Sequence, residues 1–111
     1  QIAKTYNKEF LDLPIKLPQI GKNLSNVFHL YVIQTKKRDK LLEYLKKNGI
    51  IAGIHYRTPN HLHKAIKDKI RFNSLNITTK ISKKIISLPI YPELTKSDQF
   101  KVIKTVKKFF K

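Results

Sequence analysis

Apolar positions along this chain follow two periods, and the switches between them divide it into elements. Ile2, Tyr6, Phe10 and Leu13 recur at helical spacing over residues 1–13, with no capping residue or Met ahead of them. The expectation is a chain that starts inside a helix, as the tail of a longer polypeptide. Pro14, Pro18 and Gly21 then break the pattern and predict a loop. Over residues 27–33 the period changes to two, with Val27, His29, Tyr31 and Ile33 alternating with Phe28, Leu30 and Val32. Both faces are largely apolar, which predicts a strand covered on both sides.

Thr35 is placed to cap a helix whose buried stripe is Leu41, Leu42 and Leu45. Glu43 and Lys47 stand four apart on its wet side, and Gly49 sits where a left-handed C′ residue is expected. Residues 50–56 predict a second strand, with His55 and Tyr56 at its end on opposite faces. After Pro59 a short helix through Leu62, Ala65 and Ile66 is expected, then a polar loop over residues 68–76. Residues 79–88 carry Ile81, Ile85 and Leu88 at helical spacing, ended by Pro89 and Pro92.

The last element is the clearest. Thr95 and Asp98 form a variant capping box with Asp in place of Glu, and Phe100, Ile103, Val106 and Phe110 then recur on one helical face. Lys101, Lys104, Lys107, Lys108 and Lys111 fall mostly on the other, favouring the negative C-terminal end. The 111 residues read as one domain. The order of elements predicts an α+β layer structure, a small antiparallel sheet of about three strands packed with helices.

Charge adds a competing picture. A formal charge of +17 suggests a polyanionic partner, so a basic nucleic-acid-binding module stands as the alternative function. The makeup of that charge argues against it. Only Arg38, Arg57 and Arg71 are Arg, the residue suited to bidentate phosphate and base contacts, and the Lys residues are spread along the chain among many Ile and Asn.

Several chemistries are excluded. The chain has no Cys, hence no disulfide, thiolate metal site or Cys nucleophile, which fits a reducing cytoplasm. No apolar run reaches the ~20 residues that span a bilayer, and the N-terminus lacks the order of a signal peptide. Gly21, Gly49 and Gly53 are isolated, so there is no phosphate-cradling glycine loop. His61 and His63 are two apart with no acid to complete a metal triad, so no metal is expected. A hydrolase built from His55 with Ser82 or Ser87 lacks a nucleophile elbow, and the chain has only seven Asp plus Glu.

What remains is a site-like run, Ile54-His55-Tyr56-Arg57-Thr58-Pro59-Asn60-His61-Leu62-His63. It groups imidazole, phenol and guanidinium beside a proline that limits the backbone. Arg57 supplies a fixed charge suited to phosphate or carboxylate. The bland alternative packs Tyr56 against the next helix and leaves Arg57 and His61 in water. His29 reads as a hydrogen-bonded core or edge imidazole, and Tyr31 and Tyr44 as packing residues.

Taken together, His29-Leu30-Tyr31-Val32-Ile33, Arg38-Asp39-Lys40-Leu41, Leu45, Asn48-Gly49-Ile50, His55-Tyr56-x-x-Pro59-x-His61-Leu62, Leu88-Pro89-Ile90-x-Pro92-x-Leu94-Thr95 and Gln99 with Val102-Ile103 resemble the C-terminal domain of the DegT-type sugar aminotransferases. The resemblance implies a pyridoxal-phosphate enzyme of the aspartate-aminotransferase fold type. Such an enzyme moves an amino group, usually from glutamate, onto a nucleotide-linked keto-sugar, in cell-surface polysaccharide or related sugar biosynthesis. It further implies that residues 1–13 end an interdomain helix and residues 27–111 form the small-domain core. The cofactor and the Schiff-base Lys would belong to a large domain absent from this chain, so no catalytic residue is nominated. Expected partners are the nucleotide-sugar, the amino donor, that large domain and a second copy in a cytoplasmic homodimer.

Carried over by position, His55, Tyr56 and His61 become substrate-binding candidates, with Arg57 and His29 beside them. The chain departs from the family pattern at Arg57, where Pro is common, and at His63, where Gln is common. The first change loosens the turn and adds a charge that suits a nucleotide phosphate.

Overall fold

Tyr31–Gln34 (β1) runs antiparallel to Ile85–Leu88 (β2), with Tyr31 opposite Leu88 and Ile33 opposite Ile86. Single bridges extend this pair on both sides, Lys16 to Gln34 and Gly53 to Ser87. In this computed structural model, which describes residues 1–21, 24–69, 71 and 73–111, four helices accompany the strands. They are α1 (Ile2–Glu9), α2 (Arg38–Lys47), α3 (Asn76–Ser82) and α4 (Lys96–Phe110), with a 3-10 turn at Asn60–Leu62. The class is α+β as expected, with the regular sheet confined to two strands.

Three differences from the expected elements have local causes. Val27 to Leu30 lie outside β1, because Phe28 takes a positive φ of 53° and its amide donates to Asn26 Oδ1 at 2.6 Å. That turn leaves Val27 96% exposed. Residues 50–56 contribute only the Gly53 bridge to the sheet. The helix expected over residues 79–88 stops at Ser82, and Ile85–Leu88 is a strand. A short apolar run satisfies either period, and pairing with β1 decides between them. The loop over residues 68–76 includes Ile70 and Phe72, which lie outside the described residues.

The core lies where α1, the sheet, α2 and α4 meet. Tyr6, Phe10, Tyr31, Ile33, Leu41, Leu45, Ile86 and Val106 are fully buried. Truncating a leucine such as Leu41 to Ala costs about 2–5 kcal/mol. The exposed Glu43–Lys47 pair, 3.0 Å apart, contributes roughly 0.3–0.5 kcal/mol, so packing rather than surface charge holds α2. Gly49 takes the left-handed φ of 70° that its C′ position asks for.

Thr35 does not cap α2. The N-cap is Lys37, whose amide donates to Thr35 Oγ1 at 3.1 Å. Thr95 caps α4 by accepting the Asp98 amide at 3.0 Å and donating to the Asp98 carboxylate at 2.6 Å. The buried face of α4 is Gln99, Val102, Ile103 and Val106, one residue round from the expected stripe. Phe100 is accordingly 65% exposed, and Gln99 Nε2 donates to the Ile2 carbonyl at 2.9 Å, tying α4 to α1.

Tyr6 and Tyr31 join the core at ring distances of 4.9 Å from each other and, for Tyr6, 5.5 Å from Phe10. Their hydroxyls donate to the Pro89 carbonyl at 2.9 Å and to Asn7 Oδ1 at 2.6 Å. Burial raises both phenols above the ordinary tyrosine range. Among the described residues no helix is long and apolar enough to cross a membrane.

Candidate functional site

β2 positions the first functional side chain. Gly53 exchanges both backbone bonds with Ser87, at 3.0 and 2.8 Å, so the strand holds the segment that leads into His55. His55 Nδ1 lies 2.9 Å from Ser87 Oγ. The absence of a side chain at Gly53 makes room for this ring, since a Cβ there would come within 2.6 Å of His55 Cε1. The His55–Tyr56 peptide is cis, and the two rings meet edge to face with centroids 5.8 Å apart.

Tyr56 is 76% exposed, so it does not pack against the next helix. Pro59 starts the 3-10 turn that carries His61 inward. There His61 is only 6% exposed and its Nε2 lies 3.0 Å from Thr79 Oγ1, on α3. His55, Tyr56 and His61 thus line one open groove of about 580 Å³. Its other wall is mostly apolar, built by Leu75, Ile77, Ile81 and Ile85 with Thr78 and Ser82 between them.

The other candidates stand apart. Arg57 does not line the groove and instead lies 3.4 Å from Asp39 Oδ1, a carboxylate that also meets Arg38 Nε at 2.8 Å. Arg38 is buried and donates to the Ser82 carbonyl at 3.3 Å, which links the start of α2 to the end of α3. His29 is exposed in the bend before β1 and not in the core. Neither it nor His63 lines the groove.

Thr79 and Asp39 are partners of the site that nothing in the sequence suggested, and Ser87, paired with His55 there only as a hydrolase nucleophile, anchors the ring instead. Each is 18 to 32 positions from its partner. The His55–Ser87 contact has the spacing of a base and nucleophile. Ser87 is nevertheless buried within β2, and among the described residues no carboxylate hydrogen-bonds His55. The pair orients the imidazole rather than arming the serine. Among the described residues no group of three metal-ligating side chains occurs.

Residues 1–107 match the DegT/DnrJ/EryC1/StrS aminotransferase family. The chain belongs to this family. A dTDP-3-amino-3,6-dideoxy-alpha-D-galactopyranose transaminase from Aneurinibacillus thermoaerophilus is 29% identical, over 98% of this chain and 30% of the relative. The erythromycin biosynthesis sensory transduction protein EryC1 of Saccharopolyspora erythraea is 33% identical, over 96% of this chain and 30% of the relative. The chain thus spans about 30% of the length of the curated relatives it matches.

Solved family structures superpose closely. DesV of S. venezuelae, solved in complex with a ketimine intermediate, has a TM-score of 0.91 at 28% identity over 99% of this chain and 30% of its own. A DegT DnrJ EryC1 StrS aminotransferase from Brucella abortus gives 0.90 at 31% identity, over 98% of this chain and 29% of its own. DegT-family aminotransferases are pyridoxal-phosphate enzymes. The His55–His61 groove does not make a site for that cofactor by itself, because among the described residues neither a lysine nor a carboxylate lines it. An amine for covalent attachment and an acid for the ring nitrogen would have to come from outside the groove.

Proposed function

We propose that this chain is the C-terminal small domain of a pyridoxal-phosphate-dependent aminotransferase that aminates a nucleotide-linked keto-sugar, in cell-surface polysaccharide or related sugar biosynthesis. The observation that carries the reading is the family match over residues 1–107, and the dTDP-sugar transaminases among the relatives support the substrate class. Residues 1–13 then close an interdomain helix, and residues 27–111 form the small-domain core.

In this reading the groove is the substrate-side lip. Tyr56 offers an exposed ring and hydroxyl to the sugar, and His55, fixed through Nδ1 by Ser87, offers Nε2. His61 is buried against Thr79, so it positions the lip. Arg57 meets the nucleotide phosphate. Its pairing with Asp39 does not prevent this, since an exposed pair of this kind is worth about 0.2–1 kcal/mol and a phosphate forms stronger charge-assisted bonds. His29 stays at the margin. The large domain supplies the cofactor site, glutamate or another amino donor supplies nitrogen, and the assembly is a cytoplasmic homodimer.

The isolated chain is therefore inactive. Mixed with pyridoxal phosphate it gives no stable lysine–cofactor absorption band, whereas the polypeptide joined to its large domain does. A stable band in the isolated chain overturns the reading.

A further inference from the structure

Two backbone links and one amide-to-hydroxyl bond gather four lysines around one hollow. Lys16 and Gln34 exchange both backbone bonds at 2.9 Å, the Thr35 amide donates to the Lys84 carbonyl at 2.9 Å, and the Lys37 amide donates to Thr35 Oγ1 at 3.1 Å. The hollow they enclose is about 490 Å³. Lys16, Lys36, Lys37 and Lys84 line it, Pro14 and Phe110 add apolar surface, and among the described residues no carboxylate lines it.

Among the described residues none of these four lysines forms an ion pair. The ion-paired lysines there are Lys47 and Lys107. Asp39, the carboxylate nearest in sequence to Lys36 and Lys37, is occupied by Arg38 and Arg57. α2 begins immediately after Lys37 with no side-chain cap, so the positive end of its dipole adds to the same field. Like charges carried around one hollow repel one another, and a compact anion bound there offsets that repulsion.

We propose that this hollow binds a small polyphosphate anion, either free or as the diphosphate or triphosphate of a nucleotide, at a site separate from the His55–His61 groove. The size and shape favour a small molecule, since ligand pockets run from roughly 300 to 1,000 Å³. A nucleic acid instead asks for an extended strip of cations. Lysine suits the role because its ammonium is a compact point charge that meets phosphate oxygens from any direction. The site does not depend on the aminotransferase reading.

Calorimetric titration of the chain with sodium tripolyphosphate and with ADP at physiological salt tests it. The expected result is saturable one-to-one binding, weakened about tenfold or more by Lys16→Gln with Lys84→Gln and again by Lys36→Gln with Lys37→Gln, in line with lost phosphate contacts. The control pair Lys104→Gln with Lys108→Gln, on the wet face of α4, should stay within about twofold while removing the same charge. Thermal melts establish that each variant is folded. In a third titration with sodium diphosphate, ADP binding tighter than diphosphate assigns a nucleotide, and equal or weaker ADP binding assigns phosphate alone. Non-saturable binding, or equal weakening by control and hollow variants, overturns the site. So does tighter binding of duplex DNA that the control pair weakens as much as the hollow pairs do.

Discussion

His55 Nδ1 and Ser87 Oγ lie 2.9 Å apart, a contact that fastens the groove to β2. Gly53 shares in it, because a methyl group there would meet the imidazole at 2.6 Å. Gly53 needs no left-handed backbone, so Gly53→Ala is tolerated by the chain but not by the ring. The expected outcome is a stability change of about 1 kcal/mol or less, with the His55 imidazole resonances shifted as they are in Ser87→Ala. Unchanged His55 resonances in Gly53→Ala would contradict the arrangement.

His61 and Tyr56 line the same groove with opposite structural weight. His61→Ala removes a buried ring and leaves Thr79 without its partner, at a cost of about 1–3 kcal/mol. Tyr56→Ala changes an exposed side chain and stays within about 0.5 kcal/mol. Urea denaturation of the two variants gives the order directly, and a larger loss in Tyr56→Ala would mean that its ring packs against the protein.

How much of this was legible depends on how local the cause is. The Thr95–Asp98 cap, the Gly49 turn and the Glu43–Lys47 pair involve residues three or four apart or a single backbone angle, and all three were readable. β2 was not, because Ile81, Ile85 and Leu88 satisfy a helical period and only pairing with β1 makes Ile85–Leu88 a strand. The bend before β1 depends on an Asn26 side chain that periodicity ignores. At the site, the convergence of His55, Tyr56 and His61 follows from their nearness in sequence around Pro59. Their anchors, Ser87 and Thr79, come from elements folded onto them, and no local pattern marks either as an anchor, though the sequence does offer Ser87 to His55 as a hydrolase nucleophile.

Alkaline pH should strain the core in a defined direction. Burial raises the phenols of Tyr6 and Tyr31, so their contribution to stability is complete below the unfolded tyrosine value of about 10 and is lost as pH climbs above it. In a spectrophotometric titration, the tyrosinate signal that disappears in the Tyr6→Phe, Tyr31→Phe double variant should be the late fraction. If the missing signal belongs to the early fraction, the two hydroxyls are not held as described.

Acid acts through Glu9. Its hydrogen bond and charge contact with Lys107 lower its carboxyl below the ordinary value of 4.5. The contribution is therefore present above the unfolded value and is lost as pH falls through the lower folded one. Glu9→Gln should flatten the stability profile in that acid window and leave it unchanged in shape near neutrality. A profile that keeps its acid slope would remove this ion pair from the account.

The most direct test is an amination assay on a polypeptide that joins this chain to the proposed large domain, with a dTDP-linked keto-sugar, glutamate and pyridoxal phosphate. The account predicts formation of the amino-sugar, none with the isolated 111-residue chain, and about a tenfold higher KM in Tyr56→Ala with the fold intact, the scale of one lost contact. Amination by the isolated chain, or a joined enzyme whose KM is indifferent to Tyr56→Ala, would contradict it.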